Sequence, residues 1–116
     1  MPKPEYEFHE PRENPWEPAF GEIPGAWQQI LSRDPEKGDY TRLVRLDPGA
    51  DTSAAGTLVH DFWEEVYIVR GDLTDLRLGE TFRAGYYACR PPGMTHGPYR
   101  SPSGVLMVEF RYGFRK

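Results

Sequence analysis

Two stretches carry the reading of this chain: Gly56-Thr57-Leu58-Val59-His60-Asp61-Phe62-Trp63-Glu64-Glu65-Val66-Tyr67-Ile68-Val69-Arg70-Gly71 and Gly85-Tyr86-Tyr87-Ala88-Cys89-Arg90-Pro91-Pro92-Gly93-Met94-Thr95-His96. In the first, three residues separate His60 from Glu64 and six separate Glu64 from Gly71; in the second, five lie between Gly85 and Pro91, and His96 closes the run. Glycine permits a tight reversal and proline stiffens the chain beside it, so the Pro91-Pro92-Gly93 turn suits a residue whose side chain must be aimed. Two imidazoles and a carboxylate brought together would suit Fe, Mn, Ni or Zn as one divalent metal ion.

Working outward, short strands alternate with turns. Trp27–Leu31, the polar loop from Ser32 to Gly38 and Tyr40–Leu46 read as a hairpin, and Asp47-Pro48-Gly49-Ala50-Asp51 is a turn. Further strands are expected at Thr57–His60, Glu64–Val69, Leu73–Leu78, Tyr86–Arg90 and Val105–Tyr112. In the last, Leu106, Val108, Phe110 and Tyr112 alternate with Met107, Glu109 and Arg111, the period of a strand with one buried face. No segment reads as an amphipathic helix. Many short strands with Gly and Pro at their ends indicate an all-β sandwich or closed barrel.

Residues 1–24 hold six of the twelve prolines, with Tyr6, Phe8, Trp16 and Phe20 among them. Proline suits neither a helix interior nor a central strand, so this segment is expected as an extended arm lying across the barrel or a partner subunit, with residues 25–116 forming a single domain.

A chain of 116 residues can bury roughly two thirds of its unfolded surface in one core. The net charge of −4 argues against a nucleic-acid surface. No apolar run approaches a membrane span or signal-peptide core, and the sole cysteine, Cys89, excludes an intrachain disulfide, so a cytoplasmic protein is expected, with no membrane partner. Alternation along Tyr86–Arg90 is taken to send Cys89 inward with Tyr87, as a small hydrophobe without a catalytic role. His9, in the arm, would reach a site only if the arm folded over the mouth of the barrel.

The two quoted stretches resemble the paired motifs of the cupin superfamily, which implies a double-stranded β-helix, or jelly-roll barrel. The resemblance implies His60, Glu64 and His96 as metal ligands. It departs from the usual pattern at Leu58, which stands where the first of two motif histidines is found. A second register puts His60 in that first position, Phe62 in the second and Glu65 as the carboxylate, but it shifts the distance to Gly71; we take the former.

The stretches Glu65–Leu73 and Arg90–Pro98 look most like the group containing ChrR-type cupin domains of anti-sigma factors and small cupin dioxygenases that cleave carbon–carbon bonds beside ketones. No cysteine- and histidine-bearing segment like the sigma-binding zinc domain is present in the sequence, which points toward the enzyme side. The expectation is a metal-dependent, dioxygenase-like enzyme for a small aromatic or carbonyl compound; the alternative is a cupin that binds or senses a small molecule without turning it over. Phe62, Tyr67, Tyr87, Arg90 and Tyr99 are candidates for the substrate pocket, Arg90 as a partner for a carboxylate; singly, each ring could equally fill the core. Pairing of cupins through arms and sheet edges makes a homodimer the expectation.

Overall fold

A computed structural model describes residues 3–114. It is an antiparallel β-barrel of eight strands: β1 (Trp16–Pro18), β2 (Ala26–Arg33), β3 (Tyr40–Leu46), β4 (Trp63–Asp75), β5 (Glu80–Arg83), β6 (Tyr87–Arg90), β7 (Tyr99–Arg100) and β8 (Val105–Tyr112). The strands run in the order β1-β2-β3-β8-β4-β5, with β6 and β7 also pairing β4. The jelly-roll fold read from the motifs is therefore present.

β4 organises the barrel. Its first part pairs β8 and β6, and its last residues, Asp72–Asp75, pair β5, with Thr74 and Asp75 also opposite β7. A register shift between Ile68 and Arg70 marks the corner between these parts. Gly71 lies at that corner with φ of +87°, and a Cβ there would sit 2.0 Å from the Gly104 carbonyl oxygen. The motif glycine is thus required by the close approach of two backbones.

Inward faces of three strands form the core: Val44 and Leu46 of β3, Val66 and Ile68 of β4, and Val105 and Met107 of β8 are buried. The same faces continue into charge, with Arg42, Glu64 and Glu109 buried beside Arg90 of β6. In β8 the buried side is therefore Val105, Met107 and Glu109, and the more apolar set, Leu106, Val108, Phe110 and Tyr112, lies on the other side; Phe110 is exposed. Burial follows the ion pairs inside the barrel, because Glu109 faces Arg42 across the ladder.

Other expectations are corrected. Thr57–His60 is no strand; only Leu58 forms a bridge, to His96. The strand expected over Leu73–Leu78 is the end of the long β4 and stops at Asp75, where Asp75 accepts the backbone N–H groups of Arg77 and Leu78 in a turn. The short strands β1, β5 and β7 had no sequence signal long enough to read. Tyr87 and Cys89 are exposed, because Ala88 and Arg90 take the inward positions of β6.

Of the arm, Pro2 lies outside the described residues. Its second half packs on the barrel: Trp16–Pro18 adds an edge strand to β2, Asn14 Nδ2 donates to the Ile30 carbonyl (2.7 Å), and Ala19 and Ile23 are buried. The first half stays on the surface, with Phe8 fully exposed. The His9 ring lies tilted against that of Tyr6, with centroids 4.5 Å apart, and is exposed rather than inside the barrel.

Candidate metal centre

Strand register builds the site. Glu64 of β4 lies directly opposite Arg90 on one side and Arg111 on the other. Arg90 Nη1 donates to Glu64 Oε1 and Arg111 Nε to Oε2, both at 2.6 Å. Burial opposes ionisation of Glu64, but the Arg111 and Arg90 guanidiniums outweigh it and hold the carboxyl down at about 2. Arg42 pairs Glu109 at 2.7 Å alongside, and Arg111 Nη1 donates to the Tyr40 hydroxyl (2.8 Å).

The Leu58–His96 bridge brings the two motif segments together: Leu58 N–H donates to the His96 carbonyl at 2.7 Å and His96 N–H returns a bond of 2.9 Å. The Gly93 N–H donates to the His60 carbonyl (2.9 Å), tying the proline turn to the same loop. As a result the Nε2 atoms of His60 and His96 stand 3.1 Å apart, and His60 Nε2 is 3.6 Å from Glu64 Oε1. One ligand atom from each of the three residues lies within 4.8 Å of the others, a group that could hold a metal ion. Leu58 lines the same small space as Glu64 and His96, at the position the first motif histidine would take. Glu65 faces the outer side, where it accepts from the Tyr112 hydroxyl (2.7 Å) and from Tyr87. The register with Glu64 inward is the one the fold adopts.

The outer ring nitrogens are also engaged. His60 Nδ1 is 3.3 Å from the Phe62 carbonyl, which can only accept, so in the neutral ring this bond leaves the Nε2 lone pair directed toward the cluster. His96 Nδ1 faces the Tyr99 hydroxyl at 3.2 Å, and Arg90 Nη2 donates to that same oxygen (2.7 Å). Burial first, then the nearby Arg90 charge, push His96 down to about 4, so its ring is neutral at pH 7. Burial pushes the Tyr99 phenol up to about 12.

The predicted pocket residues separate into groups. Phe62 stacks on the His60 ring at 4.0 Å and on Phe114 at 4.4 Å. Arg90 and Tyr99 are buried against the cluster, and Arg90 is committed to Glu64 rather than open to a substrate carboxylate. Tyr87 borders a separate apolar cavity, together with Arg90 and Tyr99. Tyr67 is exposed on the outer face, away from the cluster. Sequence reading missed Arg111, Arg42 and Glu109; the signal was their period of two with the buried residues Met107 and Val44.

The sequence pattern of the ChrR cupin-like domain matches residues 5–113. No curated protein matches the chain in sequence. Among solved structures, an RmlC-like cupin from Shewanella frigidimarina is similar over 100% of this chain and 97% of its own, with a TM-score of 0.73 and 21% identity. An acetylacetone dioxygenase from Acinetobacter johnsonii covers 95% of this chain and 74% of its own, with a TM-score of 0.72 and 19% identity. KdgF from Halomonas sp. covers 94% and 96%, with a TM-score of 0.73 and 18% identity. At these identities the likeness is one of fold.

Proposed function

This chain belongs to the ChrR cupin-like family, and on that premise we propose that it is a small metal-binding cupin with dioxygenase-like activity toward a small aromatic or carbonyl compound. His60, Glu64 and His96 would hold one divalent ion, Fe, Mn, Ni or Zn. The observation that carries this is the 3.1 Å approach of two imidazole Nε2 atoms beside an ionised, buried carboxylate. The donor set fits: each Glu64 oxygen bonded to an arginine keeps a second lone pair, and a ligating carboxylate or imidazole is commonly held by just such outer partners. A bound divalent ion supplies Lewis acidity to a carbonyl or enolate oxygen, and iron would add oxygen chemistry.

The chain's own residues have definable tasks in that reading. Arg90 and Arg111 keep Glu64 ionised and fix its direction. Phe62 and Tyr99 hold the two rings, Phe62 by stacking and through its carbonyl, Tyr99 through its hydroxyl. Leu58 leaves one position without a donor and gives the site an apolar edge. The reading also takes the protein as cytoplasmic and as a homodimer. Support for pairing comes from the outer face of β4, β6 and β8, where Trp63, Tyr67, Val69, Tyr87 and Phe110 are exposed.

One observation favours the second reading, a cupin that binds a small molecule without turnover. If Tyr99 donates to His96 Nδ1, His96 Nε2–H can donate to His60 Nε2 and His60 Nδ1–H to the Phe62 carbonyl, so every member is satisfied without an ion. Elemental analysis of the purified protein, before and after anaerobic Fe(II), separates the two. Near-stoichiometric metal that is lost in both His60→Ala and His96→Ala, with oxygen uptake on hydroxyketones or catechols, supports the enzyme. Failure to retain any metal, with ligand-induced stabilisation and no product, supports the binding protein.

A further inference from the structure

The barrel contains a second space that the proposed metal centre does not use: a cavity of about 120 Å³ walled by Val66, Ile68, Leu73, Phe82, Ala88 and Met107. It shares a wall of Leu73, Arg90, Tyr99 and Met107 with the small space beside Glu64 and His96. Tyr86 and Tyr87 are the exposed side chains among its lining and mark its mouth.

Apart from Tyr86, which is exposed at the mouth, the polar side chains bordering this space already have partners. The terminal nitrogens of Arg90 are bonded to Glu64 and to Tyr99, the Tyr99 hydroxyl stands between Arg90 and His96, and the Tyr87 hydroxyl donates to Glu65. Water in a cavity needs two to four polar partners, and apolar cavities of roughly 150 Å³ stay dry and accept benzene. A charged ligand would lose its hydration and find Arg90, the one cation among the described lining residues, already paired with Glu64. We infer that this cavity is a binding site for a small neutral apolar molecule of about six heavy atoms, an aromatic ring or a branched hydrocarbon group, and that it takes this ligand whether or not a metal is bound.

The test compares benzene with benzoate by methyl-resolved NMR and thermal unfolding, on untreated and EDTA-treated full-length protein. Benzene is expected to shift the Ile68, Leu73 and Met107 methyl signals saturably in both samples and to raise the unfolding midpoint by a few degrees. Benzoate should bind at least tenfold more weakly. Ala88→Leu fills the space and should weaken benzene at least tenfold; Phe82→Ala enlarges it and should shift preference from benzene toward naphthalene, which keeps the test decisive if the filled variant does not fold. Linear, non-saturating shifts, equal binding of benzoate, or an unchanged affinity in whichever variant folds would overturn the inference. Because the EDTA arm does not depend on His60, Glu64 or His96, loss of the metal reading and loss of this one are separately visible.

Discussion

His96 shows how burial sets the chemistry of a single side chain. The unfolded imidazole takes a proton near pH 6.5, whereas the folded ring resists protonation down to about 4. The unfolded state therefore binds more protons between those values, so this contribution to stability is fully present above pH 6.5 and drains away as the pH falls toward 4. Allowing for solvent screening, its size is about 2 kcal/mol. Glu64 behaves in the same direction over a lower window, from its ordinary 4.5 down to about 2, because Arg111 and Arg90 favour its charged form. In EDTA-treated protein, urea unfolding at pH 7, 5.5 and 4.5 should show the upper loss, and His96→Gln should flatten it. A variant that keeps the full slope would mean that the proton is taken up elsewhere.

At the scale of elements, the corner of β4 turns on one glycine. Gly71 and Gly85 both bound the motifs and both have positive φ, +87° and +92°, yet their surroundings differ. A Cβ at Gly71 would strike the Gly104 carbonyl, while one at Gly85 meets nothing within 4 Å. Gly71→Ala should therefore cost about 3 kcal/mol or more, from strain plus displacement of backbone, and Gly85→Ala about 1 kcal/mol from strain alone. Equal losses in chemical denaturation would remove the close approach as the reason for Gly71. The same contrast explains what could be read from the chain. Tyr40–Leu46 and Val105–Tyr112 were legible to the residue, because turns bound them and their side chains alternate. His60, Glu64 and His96 were legible through spacing around Gly71 and the proline turn. The inward face of β8 was not: hydrophobicity alone selects Leu106 and Phe110, whereas the fold buries Glu109 and half-buries Arg111 because each finds an opposite charge across the ladder. Pairing between distant strands is what a local pattern lacks.

The whole molecule presents a charged interior end, an apolar interior end and an aromatic outer face, and the last of these bears on assembly. In a two-fold dimer each surface meets its own copy, so a face rich in one charge repels itself while a neutral one does not. Across β4, β6 and β8 the outer face carries Tyr67, Val69, Tyr87 and Phe110, and the Tyr87 and Tyr112 hydroxyls hold the ionised Glu65 carboxylate among them, so rings rather than a run of one charge dominate it. Aromatic side chains are enriched at the centres of protein interfaces, where charged residues are depleted. The arm offers less, since its second half is already committed to β2 and its first half holds only scattered rings. Sedimentation at tens of micromolar should therefore give a dimer. Tyr67→Arg with Phe110→Arg should convert it to a folded monomer, because two like charges per copy would then be buried against each other, while removal of the first ten residues should leave it paired. A dimer that survives the double substitution but not the truncation would place the contact on the arm, and a monomeric parent would leave the outer face without a second copy to cover it.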